Sequence, residues 1–223
     1  ESGVTFDLSI ITANADAIWN AFLVTIYTWL AGSVLGLIAG LLIAALMLFG
    51  GRPLQRLLRV FIELVRGTPF LVILFLVYYG GPSFGLRLGA ITAGVVCIAG
   101  YSSVYFAEIF RSGFAAVPRG QLEAGECLGL GRLQLMWRVQ LPQMLVLILP
   151  SIINMLTILC KETAVLSIIT VPELTAVLTG IGTRTFTFIE TLLVLCIAYL
   201  LLIEITSRAG RWLERRVGPY LQR

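Results

Sequence analysis

Long stretches without a charged side chain constrain this sequence more than anything else in it. One runs between Asp16 and Arg52, a second between Arg66 and Arg87, a third between Arg87 and Glu108, and a fourth between Arg138 and Lys161. A fifth and weaker run, Phe186 to Ile205, has Glu190 and Glu204 near its two ends. A helix of about 20 apolar residues crosses the hydrocarbon of a bilayer, and it satisfies its own backbone polar groups there. The expectation is an all-α integral membrane protein with about five transmembrane helices in one membrane domain, 1–223. The spans are expected near 19–49, 67–82, 88–111, 142–164 and 186–207. Only 13% of the residues are charged and 58% are hydrophobic; a soluble domain carries about 25% charged residues.

The arginines orient these spans. With the N-terminus outside, the inner side receives Arg52, Arg56, Arg59 and Arg66, then Arg111, Arg119, Arg132 and Arg138, and finally Arg208, Arg211, Arg215, Arg216 and Arg223. The outer side keeps Arg87 and Arg184, with Lys161 left open. Such a bias places the basic loops and the C-terminus in the cytoplasm. The basic residues therefore report orientation, and nucleic acid is not an expected partner. The loop 112–141 is cytoplasmic on this reading, and the tail from Arg208 is a basic amphipathic end on the inner face.

Other absences narrow the chemistry. The chain has no histidine, which removes His-based triads, most zinc sites and the usual proton shuttle. Cys97, Cys127, Cys160 and Cys196 are widely spaced without a Cys-x-x-Cys pair, so a disulfide framework or metal cage is not expected. The first sixteen residues carry Glu1, Asp7 and Asp16 and no basic residue, the reverse of a cleavable signal. A phosphate-binding loop needs Gly-Lys-Ser/Thr, and the sole lysine, Lys161, follows Cys160. No cofactor and no catalytic residue is expected in this chain; nucleotide-driven work would need a partner that binds ATP and Mg.

Within the spans, Gly32, Gly36 and Gly40 form a stripe that lets another helix approach closely. Pro150, following Pro142, favours a kink in the fourth span. The segment from Val165 to Arg184 is apolar but broken by Pro172, Gly180 and Gly182, which fits short helices folded over the outer mouth. Thr68-Pro69 is a start signal for the second span, and Glu63 can pair with Arg66, a structural role. Glu108 and Arg111 at i, i+3 can share one helix face. Lys161, Glu162 and Thr163 come late in span four, two turns after Asn154. Ionisable groups at membrane depth are costly and line wet cavities or pair internally. Glu108, Asn154, Lys161, Glu162 and Thr163 are therefore the candidate pathway residues, and fixed opposite charges suit a zwitterionic solute.

The longest charged break is 117–131, followed by Leu141-Pro142-Gln143, with Glu123 and Glu126 among small residues. Glu123-Ala124-Gly125, then Gly129, then Val139-x-Leu141-Pro142 resembles the cytoplasmic "EAA" loop of bacterial ABC importer permeases. Gly125 stands for the second alanine and Val139 for isoleucine, with the spacing unaltered. Arg66-Gly67-Thr68-Pro69, the stretch from Tyr105 to Gly113 with Val117 to Gln121, Lys161-Glu162-Thr163 and Val171-Pro172-Glu173-Leu174 resemble the polar amino-acid permeases of this group. Together these stretches cover Val60 to about Arg216.

The resemblance implies a type I importer permease fold and a multi-pass protein of the bacterial inner membrane. It implies ABC ATPase subunits that receive the loop helix, a second permease subunit, identical or related, and a solute-binding protein that delivers an amino acid. Gln121, Glu123, Ala124, Gly125, Leu128 and Gly129 would couple to the ATPase, their small face allowing close docking. Glu108 and Glu162 would line the pathway within surrounding lipid. Two other classes stand beside this reading: an ion-coupled secondary transporter, which predicts inverted repeats that the sequence does not display, and a non-conducting structural subunit.

Overall fold

A computed structural model describes residues 9–217. The chain is helical almost throughout, with no strand among the described residues. A short α1 (Ser9–Ala13) leads into α2 (Ala15–Phe49), which is 35 residues long. At 1.5 Å per residue α2 reaches about 52 Å, well beyond the roughly 30 Å of hydrocarbon. Then come α3 (Arg52–Gly67) and α4 (Phe70–Phe75), which continues through a π turn (Leu76–Gly80) and a 3-10 turn (Gly81–Phe84). The long helix α5 (Ala90–Ala116) precedes two short ones, α6 (Arg119–Cys127) and α7 (Arg132–Leu135). A π turn (Met136–Gln140) joins α7 to α8 (Leu141–Glu162), and a 3-10 turn (Thr163–Ile169) follows. The chain ends in α9 (Leu174–Thr185) and α10 (Phe188–Val217). Among the described residues, four helical runs are long and apolar enough to cross a membrane, and a fifth arises if α3 and the bent run Phe70–Phe84 are counted as one span.

The glycine stripe of α2 packs on α5. A Cβ on Gly32 would come within 2.6 Å of Ile98 Cγ2, and one on Gly40 within 2.6 Å of Phe106 Cβ. A Cβ on Gly36 would collide with the Ser102 hydroxyl. The two backbones approach so closely because nothing but hydrogen projects from α2 there. Around this seam, Phe106, Ile98, Leu74, Met144, Leu159 and Leu166 are fully buried. Trp29 Nε1 donates to the Leu156 carbonyl at 2.9 Å, tying α2 to α8. Leu42, Leu46, Leu200, Leu201 and Ile205 remain exposed on the perimeter, as a lipid-facing surface requires.

Two breaks have simple causes. Pro69 pushes the preceding Thr68 to extended backbone (φ −102°, ψ 128°), so α3 ends and the chain turns by 104° before α4 continues. Thr68 Oγ1 caps the end of α3 by donating to the Leu64 carbonyl at 2.7 Å. The π turn between α7 and α8 ends two residues before Pro142, which has no N–H to offer the Arg138 carbonyl. Helix α5 persists to Ala116 and helix resumes at Arg132, so the expected 112–141 loop contains α6 between two longer helical runs.

Candidate functional site

The loop between α5 and α7 is built around two glycines. Pro118 fixes the start of α6 and Gly129 closes it in the left-handed region, at φ 77°. There Gly129 N donates to the Glu126 carbonyl (2.9 Å) and Leu130 N to the Gly125 carbonyl (3.1 Å). This pairing satisfies the last carbonyls of the helix and favours glycine at the turning position. Gly125 faces inward and is buried; a Cβ there would strike the Leu135 side chain of α7. The small face of the loop thus serves in part to seat α6 on α7. Glu123, Ala124, Cys127 and Leu128 share the exposed arc, Leu128 being 81% exposed, and Gln121 is exposed at its edge. Behind α6, a cavity of about 530 Å³ is bounded by Phe49, Arg111, Phe114, Leu122, Glu126 and Arg132. It brings the ends of α2 and α5 against the loop.

A second feature lies between α5 and α8. A cleft of about 390 Å³ is lined by Arg66, Tyr105, Glu108, Ser112, Ser151 and Asn154. A neighbouring cavity of about 350 Å³ shares Arg66 and Glu108 and adds Arg59, Glu63 and Arg111. Glu108 and Arg111 form a two-pronged ion pair: Arg111 Nη2 donates to Glu108 Oε2 at 2.7 Å and Nε to Oε1 at 3.1 Å. Arg66 lies over the Tyr105 ring, 5.6 Å from its centre, and the Tyr101 and Tyr105 hydroxyls are 3.1 Å apart. At 100° per residue, Ser151, Asn154, Ile158, Lys161 and Glu162 fall within about a 100° arc of α8. Glu162 is half-buried, within electrostatic reach of the Tyr101 phenol, and Lys161 is exposed. Glu108 and Asn154 are thus brought together in one cleft, and Lys161 and Glu162 continue its α8 side.

Thr163 turns the other way. It is fully buried, donates to the Cys160 carbonyl at 2.7 Å and lies 3.2 Å from the Tyr199 hydroxyl. That hydroxyl donates to Glu173 Oε2 at 3.2 Å. Glu173 is itself fully buried and caps α9, accepting from Thr175 N (2.8 Å) and Ala176 N (2.7 Å). Thr25 of α2 accepts from Leu174 N at 3.0 Å. One buried carboxylate therefore joins α9 and α10, and through Tyr199 reaches the end of α8 where Glu162 emerges. The sequence marks Glu173 only as part of a motif; the signal for its capping role is the acid two and three residues ahead of Thr175 and Ala176. The sequence assigns Arg66 only a structural pairing, and its place in both cavities follows from the 104° bend that comes after it.

Residues 32–219 match the family described as binding-protein-dependent transport system inner membrane component. The chain belongs to this family. Members are inner-membrane proteins, and the several apolar helices make this one multi-pass. Among its relatives is the probable amino-acid ABC transporter permease protein YckA of Bacillus subtilis (strain 168). That protein is 33% identical over 89% of this chain and 86% of its own length. The arginine transport system permease protein ArtQ of the same organism is 28% identical over 96% of this chain and 98% of its own. A solved amino acid ABC transporter with histidines superposes with a TM-score of 0.90 at 32% identity, covering 96% of this chain and all of that one (100%). The MetNI methionine ABC transporter, at 19% identity and a TM-score of 0.71, shares the fold. Members of the family are transport subunits, and their transport systems include binding proteins by definition.

Proposed function

We propose that this chain is the permease subunit of an ATP-driven importer that carries an amino acid, with α6 as the element that receives motion from an ATPase. The observation that carries this reading is the close superposition, over nearly the whole chain, on a solved amino acid ABC transporter. The N-terminus lies outside and the arginine-rich end inside, by the bias of basic residues. A second permease subunit completes the pathway, and a solute-binding protein delivers the substrate. ATP and Mg are held by the partner ATPase, since the only lysine here lies in no phosphate-binding loop.

Coupling in this account is mechanical. The exposed arc of α6, with Glu123, Ala124 and Leu128, docks on the ATPase, with Gln121 at its edge. Gly125 and Gly129 keep α6 seated on α7 and cleanly ended. Because α7 continues through its π turn into α8, a push on α6 reaches the helix that carries Asn154, Lys161 and Glu162. The pathway alternates in access as a population shift between two arrangements of these helices. Thr163 contributes by fixing the end of α8.

The test is amino-acid-stimulated ATP turnover by the reconstituted complex of permease, ATPase and binding protein. Glu162→Gln is expected to lower the stimulated rate by about 10- to 150-fold, one lost charged hydrogen bond being worth about 1.5–3 kcal/mol, while leaving the basal rate in place. Unchanged stimulation across a panel of amino acids would remove Glu162 from the pathway.

A further inference from the structure

Helix α3 carries three faces. Leu54, Leu58, Ile62 and Val65 turn toward the protein; Ile62 is buried and packs near Met47, Val104 and Ala107. Leu57, Val60, Phe61 and Leu64 form a second, apolar face, exposed by 66%, 54%, 42% and 65%. Arg52, Arg56, Arg59, Glu63 and Arg66 form the third, all exposed and spaced alternately by four and three residues. Among the described residues, none of Arg52, Arg56, Arg59 and Arg66 makes an ion pair; Arg59 and Arg66 lie within electrostatic reach of Glu108, and Arg66 stacks on Tyr105. The polar face thus holds four arginines and one glutamate. No acidic residue lies in the first turn, so Arg52 adds to the positive end of the helix dipole where a carboxylate would offset it, and Arg56 follows one turn on.

The 104° bend at Thr68-Pro69 turns α3 sharply away from the direction of α4. A helix so turned, apolar on one exposed face and cationic on the next, matches the surface of a bilayer: acyl chains meet the apolar face, headgroups the charged one. We propose that α3 is a binding surface for anionic phospholipid, with Arg52 and Arg56 holding headgroup phosphate and Leu57, Val60 and Leu64 lying among acyl chains. The occupant is an anionic lipid, not a protein. The polar face sets four arginines against one glutamate, the apolar face adds to the exposed apolar perimeter, and no acidic side chain among the described residues pairs with Arg52 or Arg56. The lipid lies in the leaflet at the arginine-rich end of the spans. Arg59 and Arg66 point the same surface toward the cavities that hold Glu108, so bound lipid touches the side of the helix that borders the cleft.

The proposal is tested on the assembled transporter in nanodiscs of equal parts phosphatidylglycerol and phosphatidylcholine, read by native mass spectrometry of retained lipid. Each basic residue near a charged surface contributes on the order of fivefold in affinity. Arg52→Gln with Arg56→Gln is therefore expected to weaken phosphatidylglycerol retention about 30-fold at that site, the single variants being intermediate. Arg184→Gln, at the far end of α9, is expected to change nothing. Equal retention by the double variant and the wild type would overturn the proposal. Loss of ATPase chains from the double variant, with lipid retained, would also overturn it and assign α3 to a protein contact. Neither result depends on the transported solute, so the amino-acid reading stands or falls separately.

Discussion

Gly129 and Leu128 make the sharpest claims at the scale of single residues. Gly129 is in the left-handed region, where a Cβ costs about 1–2 kcal/mol. Gly129→Ala is expected to fray the end of α6 and to speed backbone hydrogen exchange at Leu128 and Leu130 by about 5–30-fold, the same cost expressed as a rate. Unchanged exchange would mean that the turn is held by contacts elsewhere. Leu128, exposed on the same turn, is the residue that the proposed docking on the ATPase buries, and the few residues that dominate an interface carry about 2 kcal/mol or more of binding. Leu128→Asp is expected to lose ATPase subunits on purification while Gly100→Ala does not, since a methyl added at Gly100 meets nothing within 4 Å. Glu173 makes a different claim. Burial pushes its carboxyl above the ordinary range, and the bonds from Thr175 and Ala176 oppose this only in part. The folded protein therefore holds that proton to higher pH than the unfolded chain does. Stability contributed below the unfolded pKa is lost as pH rises through the raised one. The Tm of the wild type, relative to Glu173→Gln, should fall as pH is taken from about 4 to about 8; parallel curves would show that the carboxyl does not titrate in the fold.

At the scale of elements, the α2–α5 seam is the joint most exposed to substitution. Gly36→Leu puts a branched side chain where the Ser102 hydroxyl already stands. Overpacking of that sort costs about 1–3 kcal/mol, and the expected result is a lower thermal midpoint of the purified complex; a midpoint unchanged from the wild type would mean that the helices can part without loss. The same elements show what is legible in the sequence. The stripe Gly32, Gly36 and Gly40 announces a close helix contact because only hydrogen projects there, though spacing does not name the partner, α5. The charge-free runs locate the long helices because charge is costly in lipid. They do not reveal α3, since its arginines interrupt the apolar run; the signal for it is the three-faced spacing of Leu57, Val60 and Leu64 against Arg52, Arg56 and Arg59. The loop motif is legible in its spacing, but the packing of Gly125 against Leu135 of α7 is not, because it depends on how the chain folds back after Gly129. Adjacency groups Thr163 with Glu162, yet Thr163 is fully buried beside Tyr199 while Glu162 is only half-buried.

At the scale of the whole molecule, the proposed coupling rests on three features: α6 under the ends of α2 and α5, the continuous run from α7 to α8, and the Glu173–Tyr199–Thr163 chain of hydrogen bonds at the far end of α8. On that proposal a push at α6 meets a helix pinned at its other end, and the movement falls on the middle of that helix, with Asn154 and the facing Glu108. The proposed importer follows from those features and from the family to which the chain belongs. It requires that transport be driven by ATP and by delivery from a binding protein, not by an ion gradient. The decisive measurement is uptake of radiolabelled amino acids into liposomes containing the chain with its ATPase, ATP enclosed and binding protein outside. The account predicts accumulation of at least one amino acid that stops when ATP or the binding protein is omitted and that Leu128→Asp abolishes. Accumulation that persists without ATP and collapses with the proton or sodium gradient would contradict it.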